Sequence, residues 1–236
     1  MATNRAIVVT GANGGLGRAL VRALSDGDAR VIAIGRGVEQ AALDKELGAR
    51  RAIAAAFDVV SRPAWAELIA RLAGEGLEPY GAVLSAGAWR GGKKLHEESD
   101  DGTWTAMLGA NLETARVSLQ ALLPGMVERK RGSVVLIGSR VAERPWESAK
   151  AAAYAASKAG LVALAEAVAA EVLESSVRVN VILPSTIDTP QNRAGMPNAD
   201  ASRWISPESL ADVAKFLLSD AARDISGAAI PVYGRA

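Results

Sequence analysis

The chain has 236 residues, half of them hydrophobic, and a net charge of +1. That size suits one large α/β domain or two small ones, and the near-zero charge gives no electrostatic reason to expect nucleic acid or an anionic membrane as partner. With no cysteine there are no disulfides, thiolate metal sites or cysteine nucleophile, and the single histidine, His96, argues against a His-based metal site or a Ser-His-Asp triad.

No linker, charge block or repeat divides the sequence, so residues 1–236 are read as one domain. The first apolar run, 6–9, is too short for a signal peptide or a membrane span, and a cytoplasmic protein is expected. Short β-branched runs then alternate with Ala- and Leu-rich stretches. Strands are predicted at 7–9, 31–34, 53–57, 82–84, 134–137, 177–183 and 229–232. Helical stretches are predicted at 16–24, 39–47, 65–72, 104–127, 151–173 and 210–218. The strands are continuous apolar runs, so both faces are buried. Such strand–helix repetition predicts an α/β fold: a single Rossmann-type, doubly wound parallel sheet of about seven strands with helices on both faces. Ligands of such sheets bind at the carboxyl ends of the strands.

The first strand runs into Thr10-Gly11-Ala12-Asn13-Gly14-Gly15-Leu16-Gly17, and a helix follows. Gly11 permits a tight turn, Gly15 a close approach to pyrophosphate, and Gly17 close packing of helix on strand. The helix N-terminus offers N–H groups to phosphate. After the second strand stands Arg36, with no acid before Glu39. An acid near this point selects NAD, whereas a guanidinium suits the 2′-phosphate of NADP. Tyr154 and Lys158 are one helical turn apart and share a face, so the ammonium is expected to lower the phenol pKa. Ser139 ends the fifth strand, where its hydroxyl can hold a substrate oxygen. Asn111 falls within the long stretch 104–127, an unfavourable place for Asn.

This spacing, Thr-Gly-x-x-x-Gly-x-Gly, with these residues in order, resembles the short-chain dehydrogenase/reductase family over nearly the whole chain. The resemblance implies that Asn111, Ser139, Tyr154 and Lys158 are catalytic. Tyr154 is then the acid–base, Lys158 also binds the nicotinamide ribose, and Asn111 holds a water leading to Lys158. It implies cofactor contacts from Gly11, Asn13, Gly15, Leu16, Gly17, Arg36, Asp58, Val59, Ala86, Gly87, Tyr154, Lys158, Pro184, Ile187 and Thr189. Asp58 would bind the adenine amino group. Leu84 and Ser85 stand where the family has two Asn, which puts their hydrogen bonds in question. Ser185 replaces a Gly after Pro184, and Ser139 and Tyr154 stand further apart than the commonest family spacing.

Residues 188–204 and 86–92 also resemble the corresponding segments of dihydropteridine reductases. Residues 187–206 are expected to form a mobile substrate lid. Trp89, Trp104, Trp146 and Trp204 lie near the expected pocket mouth and suggest an apolar or aromatic-accepting site, with Trp104 read as packing and His96 as solvated.

The reading is an NADP(H)-dependent carbonyl reductase or alcohol dehydrogenase, with NAD the second choice and a small carbonyl or alcohol as substrate. The alternatives are a dihydropteridine or quinonoid reductase, and a cofactor-sensing Rossmann protein without turnover. No metal is expected. The Ala-rich stretch 151–173 allows close helix approach, and a homodimer or homotetramer is expected.

Overall fold

The computed structural model describes residues 4–48 and 51–235. Its strands are β1 (Arg5–Thr10), β2 (Arg30–Ile34), β3 (Ala52–Ala55), β4 (Glu78–Leu84), β5 (Gly132–Ile137), β6 (Val177–Pro184) and β7 (Ala229–Val232). They form one sheet in the order β3-β2-β1-β4-β5-β6-β7, and each neighbouring pair is parallel. The helices are α1 (Gly15–Ser25), α2 (Gln40–Leu47), α3 (Arg62–Gly74), α4 (Gly102–Leu108), α5 (Thr114–Glu128), α6 (Ala152–Glu171), α7 (Pro190–Gly195) and α8 (Pro207–Leu218).

Side chains alternate across the sheet and feed two cores. Ala6, Val8, Ile32, Ile34, Val134 and Leu136 point to one face, where Trp65, Leu68, Leu122, Leu161 and Ala165 of α3, α5 and α6 cover them. Ile7, Val9, Val31, Ala33, Val135 and Ile137 point to the other, under Leu20 and Leu24 of α1 and Leu210 and Leu217 of α8. This two-sided cover is why the strands read as unbroken apolar runs. α6 is long and apolar enough to span a bilayer by length and composition. In this fold it is a layer helix, with Leu161, Ala165 and Ala169 packed in the first core.

β1 lies between β2 and β4, so the chain leaves the sheet on opposite sides of this point and opens a crevice above it. The fold therefore aims the ends of β1, β2, β4, β5 and β6 at one region.

Two predicted elements differ. The third strand stops at Ala55, not at Phe57, whose ring leaves the sheet to pack edge-on to Trp65 at 5.5 Å. The stretch 104–127 is not one regular helix: α4 and α5 are joined by a π turn, Gly109–Glu113, that contains Asn111. The residues of a π turn are spaced more widely than those of an α-helix, and such turns gather at functional sites. The expected lid, 187–206, also holds more structure than a loop, including α7 and a 3-10 turn, Ala201–Arg203.

Candidate active site

The glycine loop is shaped by contacts that a side chain would destroy. Gly11 has φ +68°, and a Cβ there would lie 2.9 Å from the backbone of Ala86. A Cβ on Gly17 would lie 2.1 Å from the Gly11 carbonyl oxygen. A Cβ on Gly15 would meet the Thr189 methyl at 2.7 Å, so the start of the lid rests on the loop. Gly14 is the N-cap of α1 and no side chain caps it, which leaves the leading N–H groups of the helix to a ligand. Leu16 anchors the helix in the core, while Asn13 is exposed.

The strand ends are tied around this loop. The Ala12 N–H donates to the Ile34 carbonyl and the Gly35 N–H to that of Ala55. Gly35 faces Asn13, whose Oδ1 would lie 2.6 Å from an added Cβ. Between Gly35 and Gly37, Arg36 is exposed, and among the described residues it has no ion-pair partner. Asp58 is exposed too, and its Oδ1 accepts from the Val60 N–H; Val59 beside it is buried, with its carbonyl accepting from Trp65 Nε1. The doubt over Ser85 is resolved: its hydroxyl donates to the Thr10 carbonyl at 2.6 Å, and the Ala86 N–H donates to Thr10 Oγ1. One Ser thus clips β4 to β1. Thr10, absent from the expected contacts, supplies the other half of the clip.

Tyr154, Ser139, Lys158, Asn111 and Gly87 come together at the ends of β4 and β5. The Tyr154 hydroxyl hydrogen-bonds with Ser139. Lys158 is buried, 6 % exposed; its Nζ lies 6.0 Å from the Tyr154 ring centre and donates to the Ile137 carbonyl at 2.8 Å. Gly87 forms the floor: a Cβ there would sit 2.8 Å from Asn111 Oδ1 and 3.6 Å from Lys158 Nζ.

One expectation about this cluster is corrected. Burial pushes the Tyr154 phenol above its ordinary value, and the Ser139 hydrogen bond only opposes that rise. Lys158 does not lower it here, because its ammonium is drawn to Ile137 rather than to the phenol oxygen. Burial in turn pushes Lys158 down to about 8. The Asn111 side chain also makes ties that the sequence did not announce. Its Oδ1 accepts from the Ala88 N–H, while Nδ2 donates to the Ala88 carbonyl and to Ser157 Oγ, each at 3.0 Å. The side chain thus pins the chain after β4 to α6. Ser157, fully buried, passes the tie on to the Tyr154 carbonyl at 2.7 Å. A buried Ser in an Ala-rich helix was the available signal for this residue.

The expected lid segment is tied at its base. Ile187 bridges to Ile205, with the Asp188 N–H donating to the Ile205 carbonyl and the Ile205 N–H to that of Thr186. The Ile187 carbonyl accepts from Asn192 Nδ2, and Thr189 caps α7. Pro184 is buried at the end of β6. Trp89 and Trp146 stand out at 66 % and 74 % exposed; Trp104 is also exposed, against its reading as packing, because α4 presents it outward. Trp204 is partly covered and His96 is solvated.

Residues 5–199 match the sequence profile described as short chain dehydrogenase. The chain belongs to the short-chain dehydrogenase/reductase family. It is therefore an oxidoreductase acting on CH–OH or C=O groups with NAD(P). It is 32% identical to a galactitol 2-dehydrogenase (L-tagatose-forming) of Cereibacter sphaeroides, covering 96% of this chain and 92% of that one. It is 30% identical to a 3-oxoacyl-(acyl-carrier-protein) reductase of Pseudomonas aeruginosa, covering 96% and 95%. Among solved structures, a short-chain dehydrogenase/reductase family oxidoreductase from Burkholderia thailandensis superposes with a TM-score of 0.85 at 32% identity, over 98% of this chain and 92% of that one. A 3-oxoacyl-(acyl-carrier-protein) reductase with bound NAD from Brucella melitensis gives 0.81 at 30% identity, over 98% and 90%.

Proposed function

We propose that the chain works as one unit, a carbonyl reductase or alcohol dehydrogenase that prefers NADP(H) and takes a small apolar or aromatic substrate. The observation that carries the reading is the cluster at the end of β5. A phenol is held by a serine hydroxyl, a buried ammonium lies behind its ring, and a glycine packs close against the asparagine and the ammonium. A sensor protein has no use for such an acid–base set.

The cradle at Gly11, Gly15 and Gly17 fits a dinucleotide, because the missing Cβ atoms let the loop fold tightly against Ala86, Thr189 and the start of α1 while the uncapped N–H groups of α1 stay open to a phosphate. The first turn of α1 would hold the pyrophosphate, Asp58 and Val59 the adenine end, Ala86 and Gly87 the ribose floor, and Pro184, Ile187 and Thr189 the nicotinamide end. A nicotinamide cofactor bound there supplies the hydride in reduction and takes it in oxidation. Ser139 holds the substrate oxygen by a hydrogen bond. Tyr154 donates its phenolic proton to that oxygen, and its raised pKa keeps that proton in place at neutral pH. In the oxidative direction the same group must first be the phenolate, which then accepts the proton of the alcohol. That step needs the Lys158 ammonium, bonded here to the Ile137 carbonyl, to turn toward the phenol oxygen, and with a pKa of about 8 it carries its charge at neutral pH. Arg36, exposed at the end of β2, supports NADP(H). Trp89 and Trp146, exposed in the segments after β4 and β5, support an apolar or aromatic substrate.

The test is consumption of NADPH and NADH by the purified protein with ketones, diketones and a quinonoid dihydropterin. Ketone or diketone reduction, faster with NADPH, is expected. Turnover of the pterin alone would overturn the substrate class, and no turnover of any carbonyl or alcohol would overturn the enzyme reading.

A further inference from the structure

The segment after β7 touches more of the site than its position in the chain suggests. Tyr233 donates its hydroxyl to Glu143 Oε2 at 2.5 Å. The guanidinium groups of Arg140 and Arg144 lie 5.8 and 5.3 Å from the Tyr233 ring centre, within reach of a cation–π attraction. Both arginines are in turn paired with Glu147. These residues belong to the segment that begins at Ser139, whose Oγ accepts from the Val141 N–H. Tyr233 therefore holds the chain that carries Ser139.

The next two residues hold the lid. Gly234 adopts φ +61° and turns the chain, and a Cβ there would press on Ile205 Cγ1 at 3.1 Å. Arg235 then bonds the lid three times: its NH2 donates to the Ser202 carbonyl, its N–H to the Arg203 carbonyl, and its own carbonyl accepts from Arg203 Nε. Between the two grips, the Ser185 hydroxyl donates to the Tyr233 carbonyl at 2.8 Å and the Ser185 N–H to that of Val232. Ser185, which stands where the family pattern has Gly, is thus the point where the segment is fastened to the end of β6.

We propose that residues 233–235 are a clasp that joins the Ser139 segment to the lid, with Tyr233 and Arg235 as positioning residues for the substrate-binding half of the site. The inference rests on the reading of Ser139 as the group that holds the substrate oxygen. The physical basis is that both walls of the pocket hang on one short stretch of backbone. Release of either grip frees that stretch, and the other wall loosens with it. None of these bonds ties residues 233–235 to the glycine loop, so any effect on cofactor affinity passes through Ile187 and Thr189 at the base of the lid and should be smaller than the effect on the substrate side.

Hydrogen exchange on the whole chain tests the coupling without any assumption about the reaction. Tyr233→Phe keeps the ring and removes one charge-assisted hydrogen bond. It should speed exchange about tenfold in residues 140–147 and also in 198–204. Arg235→Ala removes the side-chain bond to Ser202 and keeps the two made by its backbone, so it should do the same more weakly, with the order of the two segments reversed. Glu143→Gln, which keeps an acceptor for the Tyr233 hydroxyl, should restore most of the protection lost in Glu143→Ala. On a carbonyl that the wild type reduces, Tyr233→Phe should lower kcat several-fold and leave the NADPH dissociation constant within about twofold. If each substitution loosens only its own wall, the segment is two separate tethers and the clasp is overturned. A change in NADPH affinity equal to the change in kcat would also overturn it, since it would mark general loosening. Absence of carbonyl turnover in the wild type would instead remove the functional reading and leave the exchange result standing.

Discussion

The two halves of the site are built by different means. The cofactor half, at the ends of β1, β2 and β4, is backbone against backbone: Gly11 on Ala86, Gly17 on the Gly11 carbonyl, Ala12 on Ile34. The substrate half, at the ends of β5, β6 and β7, is held by side chains: Tyr233 to Glu143 and Arg235 to Ser202 between segments, Arg140 to Glu147 and Arg193 to Asp188 within one. Backbone packing allows few residue types, so it leaves a pattern that survives in the sequence. Polar bridges can be made by many pairs, so no local pattern in the sequence marks the partners of the second half. The catalytic cluster lies between the two and shares both styles.

The largest effect should come from the cluster itself. Tyr154→Phe keeps the ring in its place and removes the proton donor. Turnover is expected to fall ~10²–10⁴-fold, with NADPH binding nearly intact by fluorescence titration. Retention of more than about a tenth of wild-type kcat would show that another group moves the proton.

Gly17→Ala probes the backbone style. The new Cβ would fall 2.1 Å from the Gly11 carbonyl oxygen, and neither side is a flexible side chain. We expect about 3 kcal/mol of lost stability and loss of measurable cofactor binding. Urea denaturation and NADPH titration read these separately. A variant of normal stability that still binds NADPH would mean that the loop yields more readily than close packing implies.

Lys158 sets function against stability. An unfolded chain holds this lysine at its ordinary pKa of 10.5, but burial lowers it to about 8 in the fold. Between these values the unfolded chain binds more protons, so wild-type stability should rise with pH through that window. Below pH 8 the full cost applies, about 3 kcal/mol. Lys158→Met removes the charge but also the hydrogen bond to Ile137, so a net gain of about 2 kcal/mol is expected at pH 7. The gain should shrink toward pH 10.5. Turnover should be lost along with it. Denaturation curves at pH 7 and pH 10 decide the matter: a gain that does not depend on pH would refute the burial argument.

Sequence reading recovered what backbone geometry dictates. The seven strands and the crevice above β1 follow from buried runs and glycine spacing, and the sheet order agrees with them. The cluster of Ser139, Tyr154, Lys158 and Asn111 was legible as a spatial group from the order of its residues along the chain. The side-chain ties of Asn111 were not, because they depend on a π turn that no local pattern announces, and on a bond to Ala88 across the fold. The pKa of Tyr154 was misjudged because helical spacing places Lys158 near the ring but does not say which carbonyl holds its ammonium. The ties of Tyr233 and Arg235 are long-range and made by single side chains, so nothing in the sequence paired them.

The smallest of these effects tests where the cofactor half itself turns variable. Arg36 follows the last residues of β2, flanked by two glycines, and it is exposed without an ion-pair partner among the described residues. The first acid after it, Glu39, is the N-cap of α2 and begins a separate element. A guanidinium here can make charged hydrogen bonds to a 2′-phosphate but gains nothing similar from a ribose hydroxyl. Arg36→Ala should therefore raise KM for NADPH at least tenfold, the loss of ~1.5–3 kcal/mol from a charged hydrogen-bonding group. KM for NADH should barely move. Arg36→Asp should go further: its carboxylate repels the phosphate and can accept from the ribose hydroxyls, so preference should swing to NADH. Kinetics with both cofactors on wild type and both variants settle it. A wild type that already prefers NADH, or an Arg36→Ala variant that weakens both cofactors equally, would place the selecting contact elsewhere in the loop.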